Sequence, residues 1–316
     1  MIVLSQAEVR ELLDLDGLVD ALAAAHRDLS EGKASMPPRI AAFAERDGLL
    51  GAMPSYLPSA GLACKLVTLF PQNRDRHTHQ ALICVFDPEN GTPIALMDGT
   101  YITATRTAGG SALATRLLAR EDVRVLAILG AGVQARTHAN ALRRVRDFEE
   151  VRVASRDRAR AEQFAEEIGA RVASSWEEAL DGADVVAATT HAAEPIVRRE
   201  WLNDGVHVNS VGANPGGVGE VDAATIADAL VAVESRASTL APPPAGAPEF
   251  RDGEHLDVVE LGELVAGSKP GRISQDQITL YKSVGVAVQD AAAAALVLAA
   301  ARKRSAGREI QLEEAT

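Results

Sequence analysis

Three basic residues before position 110 lie in apolar or conformationally constrained stretches of the sequence, where a positive charge is unusual unless it binds another group. Lys65 lies in GLACKLVTLF, where strand alternation puts it on one face with three apolar residues. A buried, unpaired ammonium is costly, and burial lowers its pKa. Arg106 is surrounded by small residues in TATRTAGGSA, and Arg39 follows two prolines. Together these cations fit a substrate carboxylate, which arginine binds in a bidentate manner. Taken one at a time, each has a surface or structural ion pair as its alternative, and for Arg39 the two interpretations are evenly balanced.

A glycine-rich turn follows the apolar segment VRVLAIL and precedes a helical stretch. Gly130 permits a tight turn, Gly132 lets the backbone approach a pyrophosphate, and Ala135 allows close packing of helix on strand. The free N–H groups at the start of that helix attract phosphate charge. The motif therefore predicts dinucleotide binding, with a purely structural turn as the alternative. Its residues are Gly130, Ala131, Gly132, Val133, Gln134 and Ala135.

The end of the next strand, VRVAS, selects the cofactor. An acidic residue there binds the ribose 2′-hydroxyl and favours NAD(H). In this chain the strand ends in Ser155, Arg156 and Asp157. A hydroxyl beside a guanidinium can hold a 2′-phosphate by charge-assisted hydrogen bonds. We therefore expect NADP(H) to be preferred, with NAD(H) as the alternative if Asp157 binds the ribose.

The elements that must position these residues fall into two groups. Short apolar runs separated by turns over residues 40–98 predict an antiparallel meander, and a helix of small residues follows over about 103–119. From Val123 onward, apolar strands alternate with helices, which is typical of a parallel, doubly wound sheet. Ser5, three residues before Glu8, predicts a capping box at the start of the first helix. An alanine-rich helix reaches about Ser305, followed by a polar tail expected to fray. The predicted fold class is α/β, a Rossmann sheet plus an α+β domain with a meander.

Length and composition exclude several classes of protein. The 316 residues predict about two domains, and 47 % hydrophobic content is ordinary for a globular chain. A net charge of −12 argues against nucleic acid or an anionic membrane as the main partner. Two cysteines, no signal segment and no long apolar run predict a soluble cytoplasmic protein. His77 and His79 lack a third ligand, so we expect no metal site.

Six stretches resemble the ornithine cyclodeaminase/mu-crystallin family in family order. The resemblance implies a substrate and dimerisation domain (1–118 and 287–316) around a Rossmann domain (119–286), and a homodimer built on the meander strands. The matching segments are MPPRI, CKLVTLFPQN, THQALICVFDPENGTPIALMDGTYITATRTAGGSALA, LAILGAGVQARTHANAL, VHVNSVGANPGGVGEVD and QITLYKSVGVAVQDAAAA.

The resemblance also assigns roles position by position. Arg39, Lys65 and Arg106 match residues that hold the substrate carboxylate. Ser155 falls where NAD-binding cyclodeaminases have their ribose aspartate, so Ser155-Arg156 looks like the NADPH-using, mu-crystallin side of the family. The remaining matches to cofactor contacts are Thr78, Val133, Gln134, Thr190, Val208, Asn209, Ser210, Val211 and Ser283.

Two departures from the family pattern bear on the reaction. The catalytic aspartate of the cyclodeaminase falls on Ala213, and the acid that helps to bind ornithine falls on Gly51. Nothing at those positions can receive a side-chain ammonium, so ornithine cyclisation is disfavoured. Asn214 could orient a water beside Ala213, whereas Glu220 and His207 are better interpreted as structural.

The expected activity is therefore reduction of the C=N bond of a small imino acid in amino-acid metabolism. The imino acid is a cyclic ketimine, or forms from a 2-oxo acid plus ammonia. Two alternatives stay open. One is an ornithine cyclodeaminase, which converts L-ornithine to L-proline and ammonia. The other is a non-catalytic, NADPH-dependent protein that binds a small acidic ligand.

Overall fold

The structure is a computed structural model that describes residues 1–212, 217–242, 245–250 and 257–312. Its contacts divide the chain into two compact units. Unit 1 comprises Met1–Arg106 and the residues from Val286 onward, and unit 2 comprises Thr107–Gly285. The domain boundaries predicted from the sequence fall at 118/119 and 286/287. The structural division falls at 106/107, inside a helix, and at 285/286.

Unit 1 contains one mixed sheet with the strand order β15-β1-β6-β5-β4-β3-β2. β1 runs parallel to β6, and all other neighbours are antiparallel, so β2 to β6 form the predicted meander. The elements, numbered in chain order, are β1 (Ile2–Leu4), α1 (Gln6–Leu12), α2 (Leu15–Ser30), β2 (Ile40–Phe43), β3 (Leu49–Leu57), β4 (Gly61–Leu69), β5 (His79–Phe86), β6 (Pro93–Asp98), the first part of α3 (Thr100–Leu118), α10 (Ala287–Arg304) and β15 (Arg308–Glu309).

The two faces of the meander differ because successive strand residues point to opposite sides. Odd-numbered residues of β3, β4 and β5 form the inner face, against which α10 packs. Met53, Ala63 and Ile83 are buried there. Even-numbered residues form the outer face. Four leucines on that face, which we call the outer leucine patch, are 36–48 % exposed: Leu50, Leu62, Leu66 and Leu82.

The ends of unit 1 confirm one local prediction and correct another. The capping box at the start of α1 forms: the Ser5 N–H donates to the Glu8 carboxylate at 2.8 Å, and the Ser5 hydroxyl accepts from the Glu8 N–H at 3.4 Å. The prediction of a frayed tail after Ser305 was wrong for Arg308 and Glu309. These residues form β15, whose partner is β1, so backbone pairing orders a segment that has little apolar surface.

Unit 2 is built on an eight-stranded sheet in the order β13-β12-β14-β11-β10-β7-β8-β9, with every neighbouring pair parallel. The predicted fold class is confirmed. After the remainder of α3, its elements are β7 (Val125–Leu129), α4 (Val133–Leu142), β8 (Glu150–Ala154), α5 (Arg158–Ile168), β9 (Arg171–Val172), α6 (Trp176–Leu180), β10 (Val185–Ala188), β11 (His207–Ser210), α7 (Ala223–Asp228), β12 (Leu230–Val233), α8 (Arg236–Thr239), β13 (Val258–Glu260), α9 (Leu261–Ala266) and β14 (Thr279–Lys282), with short 3₁₀ turns at Arg199–Trp201 and Pro248–Phe250.

Both faces of this sheet are buried, which explains why its central strands are continuous apolar runs. Along β7, Leu126 and Ile128 belong to one hydrophobic cluster, whereas Ala127 and Leu129 belong to another. Residues 213–216, 243–244 and 251–256 lie outside the described part of unit 2. Within the described ranges, every helix is too short or too polar to cross a membrane.

Candidate active site

Lys65 lies on the inner face of β4, and its side chain is only 1 % exposed. Its Nζ lies 2.7 Å from Oδ2 of Asp290. Burial lowers the pKa of Lys65 to about 8; Asp290 opposes this shift, whereas the cations Arg106 and Arg39 add to it. The amine therefore passes from charged to neutral close to physiological pH.

Asp290 joins Lys65 to Arg106, which comes from α3. Arg106 donates from Nε to Asp290 Oδ1 at 3.0 Å and from Nη1 to Gln289 Oε1 at 2.9 Å. Burial favours the neutral acid, but Arg106 and Lys65 outweigh it and hold the pKa of Asp290 below its usual value. Asp290 is thus a buried carboxylate, shared by two cations, that sequence reasoning did not single out.

Arg39 completes the set of three predicted cations. It is half-buried in the extended segment before β2, and its charge acts on Lys65. The structure therefore brings Arg39, Lys65 and Arg106 together within unit 1. One carboxylate shared by Lys65 and Arg106 leaves their cluster positive, which favours an anionic ligand.

His79 is a further residue at this site that the sequence analysis did not assign to it. It stands on the inner face at the start of β5, where β4 residue Leu69 pairs with it. Burial, followed by the charges of Lys65 and Arg106, lowers the pKa of His79 to about 4, so the ring is neutral at pH 7. Thr78, predicted to contact the cofactor, precedes it in unit 1; its side chain is exposed and its carbonyl accepts from the Phe70 N–H at 2.8 Å.

Gly51 also lies on the inner face, on the strand beside Lys65. A Cβ at this position would stand 3.2 Å from Cγ1 of Val67 and 3.7 Å from the carbonyl oxygen of Ile40. A side chain at this position would therefore be tightly packed against Val67, and the glycine itself supplies no acid where the cyclodeaminase pattern has one. Ala213 and Asn214, the other positions at issue, lie outside the described residues.

In unit 2 the predicted glycine turn joins β7 to α4. Gly130 has φ +115°, and a Cβ there would lie 2.7 Å from Oγ1 of Thr189, so both conformation and space require glycine. Gly132 is the N-cap of α4, and a Cβ at Gly132 would meet no described atom within 4 Å. Ala135, a residue of α4, is fully buried. The turn is therefore closed on its protein side and open at Gly132.

The start of α4 carries features that fit a dinucleotide. Its first turn contains no acidic residue, so its N–H groups keep their attraction for phosphate. Oε1 of Gln134 is buried and has no hydrogen-bond partner among the described residues. Val133 is 56 % exposed, which is unusual for a valine beside a sheet edge, and Ala131 is half-buried. A bound dinucleotide would account for both the orphaned oxygen and the uncovered valine.

At the end of β8, Ser155 is half-buried and Arg156 is exposed. Asp157 caps α5: its carboxylate accepts from the Arg160 N–H at 3.1 Å and pairs with the Arg160 guanidinium at 3.1 Å. These contacts engage both oxygens of the acid that is the alternative ligand for a ribose. Arg156 forms no ion pair with a described residue, which leaves its guanidinium available to a phosphate.

Glu220 ties the ends of β10 and β11 together. It accepts from the Thr190 N–H at 2.6 Å and the Thr190 hydroxyl at 2.7 Å. It also accepts from the Ser210 hydroxyl at 3.0 Å and the Gly212 N–H at 2.8 Å. Since it is 1 % exposed, its carboxylate has no surface left for a ligand. This geometry fits the structural interpretation of Glu220. Lys282, also buried, donates to Ser210 Oγ at 3.1 Å and to Glu249 at 2.7 Å.

Most of the other residues that were predicted to contact the cofactor at this end of the sheet are buried or hydrogen-bonded within unit 2. Val208 is fully buried, Val211 is half-buried, and the Asn209 amide donates to the Thr115 hydroxyl at 3.0 Å. The Ser283 hydroxyl donates to Glu234 at 2.5 Å. His207, interpreted as structural, contacts the Thr279 hydroxyl at 2.9 Å, and burial lowers its pKa to about 3.

A parallel sheet with a dinucleotide turn, in a chain that also buries a cationic cluster, defines the class as a nicotinamide-dependent oxidoreductase. The model of the ornithine cyclodeaminase/mu-crystallin family matches residues 1–305, and the chain belongs to that family.

Three relatives show where in the family the chain lies. It is 40 % identical over 304 residues to ketimine reductase mu-crystallin of Mus musculus, covering 93 % of this chain and 95 % of that protein. The structure of Thermococcus litoralis Δ1-pyrroline-2-carboxylate reductase, in complex with NADH and L-proline, is 34 % identical (TM-score 0.90; 98 % of this chain and 100 % of that one). An archaeal alanine dehydrogenase dimer with bound NAD is 32 % identical (TM-score 0.91; 99 % of both chains). The chain is an oxidoreductase of this family.

Proposed function

We propose that the chain reduces the C=N bond of a small imino carboxylate to an amino acid, with NADPH as the preferred donor. The imine is cyclic, or forms from a small 2-oxo acid and ammonia. The observation that carries this proposal is the buried cluster of Lys65, Asp290 and Arg106, with Arg39 beside it. These groups can bind one carboxylate and exchange one proton, whereas Gly51 offers no acid for a second amine.

The roles of the residues follow from their chemistry. Arg39 and Arg106 clamp the substrate carboxylate, because planar guanidinium groups match its two oxygens. Lys65, whose pKa is about 8, holds a proton at its Nζ that can pass to the imine nitrogen near neutral pH. A bound nicotinamide supplies the hydride.

The preference for NADPH rests on the end of β8. Ser155 and Arg156 offer a hydroxyl and an unpaired guanidinium, while Asp157 is held by Arg160. Thr78, Gly130, Ala131, Gly132, Val133, Gln134, Thr190, Val208, Asn209, Ser210, Val211 and Ser283 are proposed to contact the dinucleotide. The buried side chains at 208–210 restrict that contact to backbone atoms.

We also propose a homodimer in which the outer leucine patch meets its copy. The support is that four leucines share one exposed sheet face, an arrangement that monomers seldom leave open to water. The cytoplasmic location stays a prediction from composition.

A panel of substrates tests the function directly. Purified protein with NADPH is offered piperideine-2-carboxylate, pyrroline-2-carboxylate, and pyruvate with ammonia, and the loss of NADPH absorbance is followed. Consumption with at least one of them is expected. NADPH binding without any consumption would instead favour the non-catalytic binding protein. Release of proline and ammonia from ornithine would favour the cyclodeaminase.

A further inference from the structure

A single buried acid holds two cations that come from different elements. Asp290, in the first turn of α10, contacts the Lys65 ammonium of β4 with one oxygen at 2.7 Å and the Arg106 Nε of α3 with the other at 3.0 Å. The side chains of Lys65 and Asp290 are 1 % and 2 % exposed, and that of Arg106 is 5 % exposed. At this burial an ion pair fixes geometry, because neither partner can turn toward water.

The neighbouring residue strengthens the same arrangement. Gln289 accepts from Arg106 Nη1 at 2.9 Å, and its amide nitrogen lies 3.1 Å from Nε2 of His26, which is itself buried. Two acceptors on α10 therefore hold Nε and Nη1 of the guanidinium. No described residue accepts from Nη2, and Lys65 forms an ion pair with Asp290. The donors that remain are those available to a ligand.

We propose that Asp290 is a positioning residue that orients Lys65 and Arg106 toward the substrate carboxylate and keeps Lys65 in its ammonium form. It need not touch the substrate, because it acts through the two cations. This inference rests on the proposed function only in assigning the carboxylate to Lys65 and Arg106.

The charges around Lys65 set the direction of the expected effect. Four groups face it: Asp290 from α10, Arg106 from α3, Arg39 from the segment before β2, and His79 from β5. Burial and the two arginines lower the pKa of Lys65, whereas Asp290 raises it. His79 is neutral at pH 7, since its pKa is about 4. Without Asp290, the ammonium form is therefore lost at a lower pH.

The test measures carboxylate binding rather than turnover. Cyclopent-1-ene-1-carboxylate has a C=C bond where a cyclic ketimine has C=N, so it offers the carboxylate without a reducible imine. Its affinity for the full chain saturated with NADPH is measured by calorimetry between about pH 6 and pH 9. Wild-type affinity is expected to fall above about pH 8. In Asp290→Asn the fall is expected about one pH unit lower or more. An unchanged midpoint overturns the proposal.

A matched control separates positioning from general loss of stability. Asp184 of unit 2 pairs with Arg120 and accepts the N–H groups of Arg124 and Val125 at 2.8 and 2.9 Å. Asp184→Asn should lower the melting temperature and leave the pH midpoint in place. A shift of the midpoint in this control as well would mean that lost stability accounts for the effect.

A second variant keeps the proposal testable if Asp290→Asn does not fold. Asp290→Glu retains the charge but displaces it by one methylene, so both cations move. We expect carboxylate affinity at pH 7 to fall about tenfold, with NADPH affinity unchanged. Wild-type carboxylate affinity in this variant contradicts the positioning role.

These measurements distinguish the inference from the proposed function. A wild-type protein that reduces no imine, but whose carboxylate binding shifts in Asp290→Asn, refutes only the proposed function. A protein that reduces imines with the same pH midpoint in both forms refutes only the role of Asp290.

Discussion

At the scale of single residues, the site can attract an anion because its two buried cations are only partly neutralised by one carboxylate. Lys65 and Arg106 share one carboxylate, and each keeps donors beyond those that Asp290 uses. A fully paired cluster would be a structural ion pair and no more. The excess positive charge, together with a lysine whose pKa is about 8, makes the site suited to a carboxylate whose neighbouring atom needs a proton.

Replacing Lys65 tests that interpretation. Lys65→Met keeps the length of the side chain and removes its charge, leaving Asp290 with Arg106 as its partner. We expect kcat/KM for imine reduction to fall on the order of 10²-fold or more, with NADPH affinity unchanged. The control is Lys33→Met, at a lysine whose side chain is 59 % exposed. Wild-type turnover in Lys65→Met would remove Lys65 from the reaction.

We expect Arg156 to determine the preference for NADPH over NADH. Arg156→Ala should weaken NADPH binding about tenfold or more, the loss of one charged hydrogen-bond donor, and change NADH binding little. Fluorescence titration with both nucleotides measures this. Arg158→Ala serves as the control, because Arg158 pairs with Glu162 at 2.8 Å on the surface. Equal losses for NADPH and NADH would contradict a role in binding the 2′-phosphate.

At the scale of elements, the two glycines in the turn between β7 and α4 meet different requirements. Gly130 is needed for the fold, since its φ is +115° and Thr189 closes the space beside it. Gly132 has φ −96°, which any residue adopts, and faces open space. The first glycine therefore serves the protein backbone, and the second is left for the ligand.

This division gives a paired prediction. Gly130→Ala should lower the free energy of unfolding by about 1–3 kcal/mol, because of strain at positive φ. Gly132→Ala should leave stability nearly unchanged and weaken NADPH binding, because a methyl group would stand where the pyrophosphate approaches. Denaturant unfolding and nucleotide titration of both variants measure the two effects. The interpretation fails if Gly132→Ala binds NADPH as the wild type does.

Elements with a strong local pattern could be predicted from the sequence, and those without one could not. The meander, the glycine turn and the capping box at Ser5 each depend on residues close together in the chain. β12 and β13 were not identified, although β10, β11 and β14, which are four residues long like β12, were. β9, of two residues, was also missed, because it gives too short an apolar run.

The candidate site was predicted in part for a related reason. Lys65 and Arg106 stood out because a charge among apolar or small residues is conspicuous in sequence. Asp290 did not stand out in the sequence. It lies 184 residues from Arg106 in the chain, and nothing distinguishes it from any other acidic residue near the start of an alanine-rich helix. His79 was considered only as a metal ligand, and its place beside Lys65 depends on strand register.

At the scale of the whole molecule, the outer leucine patch is the surface through which we propose that two copies of the chain associate. Leu66 and Leu82 are register partners on β4 and β5, and Leu50 and Leu62 lie on the same face. Four partly exposed leucines on one sheet face favour burial against a second copy, since removing apolar surface from water stabilises the association.

A charge in the patch should therefore separate the proposed dimer. Leu66→Glu is expected to shift the wild-type dimer to monomer in light scattering coupled to size-exclusion chromatography, because two glutamates would be buried at one interface. Ile273→Glu is the control, at an equally apolar residue of unit 2 that is 75 % exposed. A Leu66→Glu protein of wild-type mass would show that the dimer uses another surface.

The order of elements along the chain has a consequence for biosynthesis. The helix that supplies Asp290 belongs to unit 1, yet it is translated only after all of unit 2 has been synthesised. Until then, Lys65 has no acid to hold it, and the inner face of the meander has no α10 to cover it. A nascent chain stopped at Gly285 would contain every strand of the nucleotide-binding sheet but would lack the partner of its own lysine. We therefore expect dinucleotide binding to appear during translation before carboxylate binding.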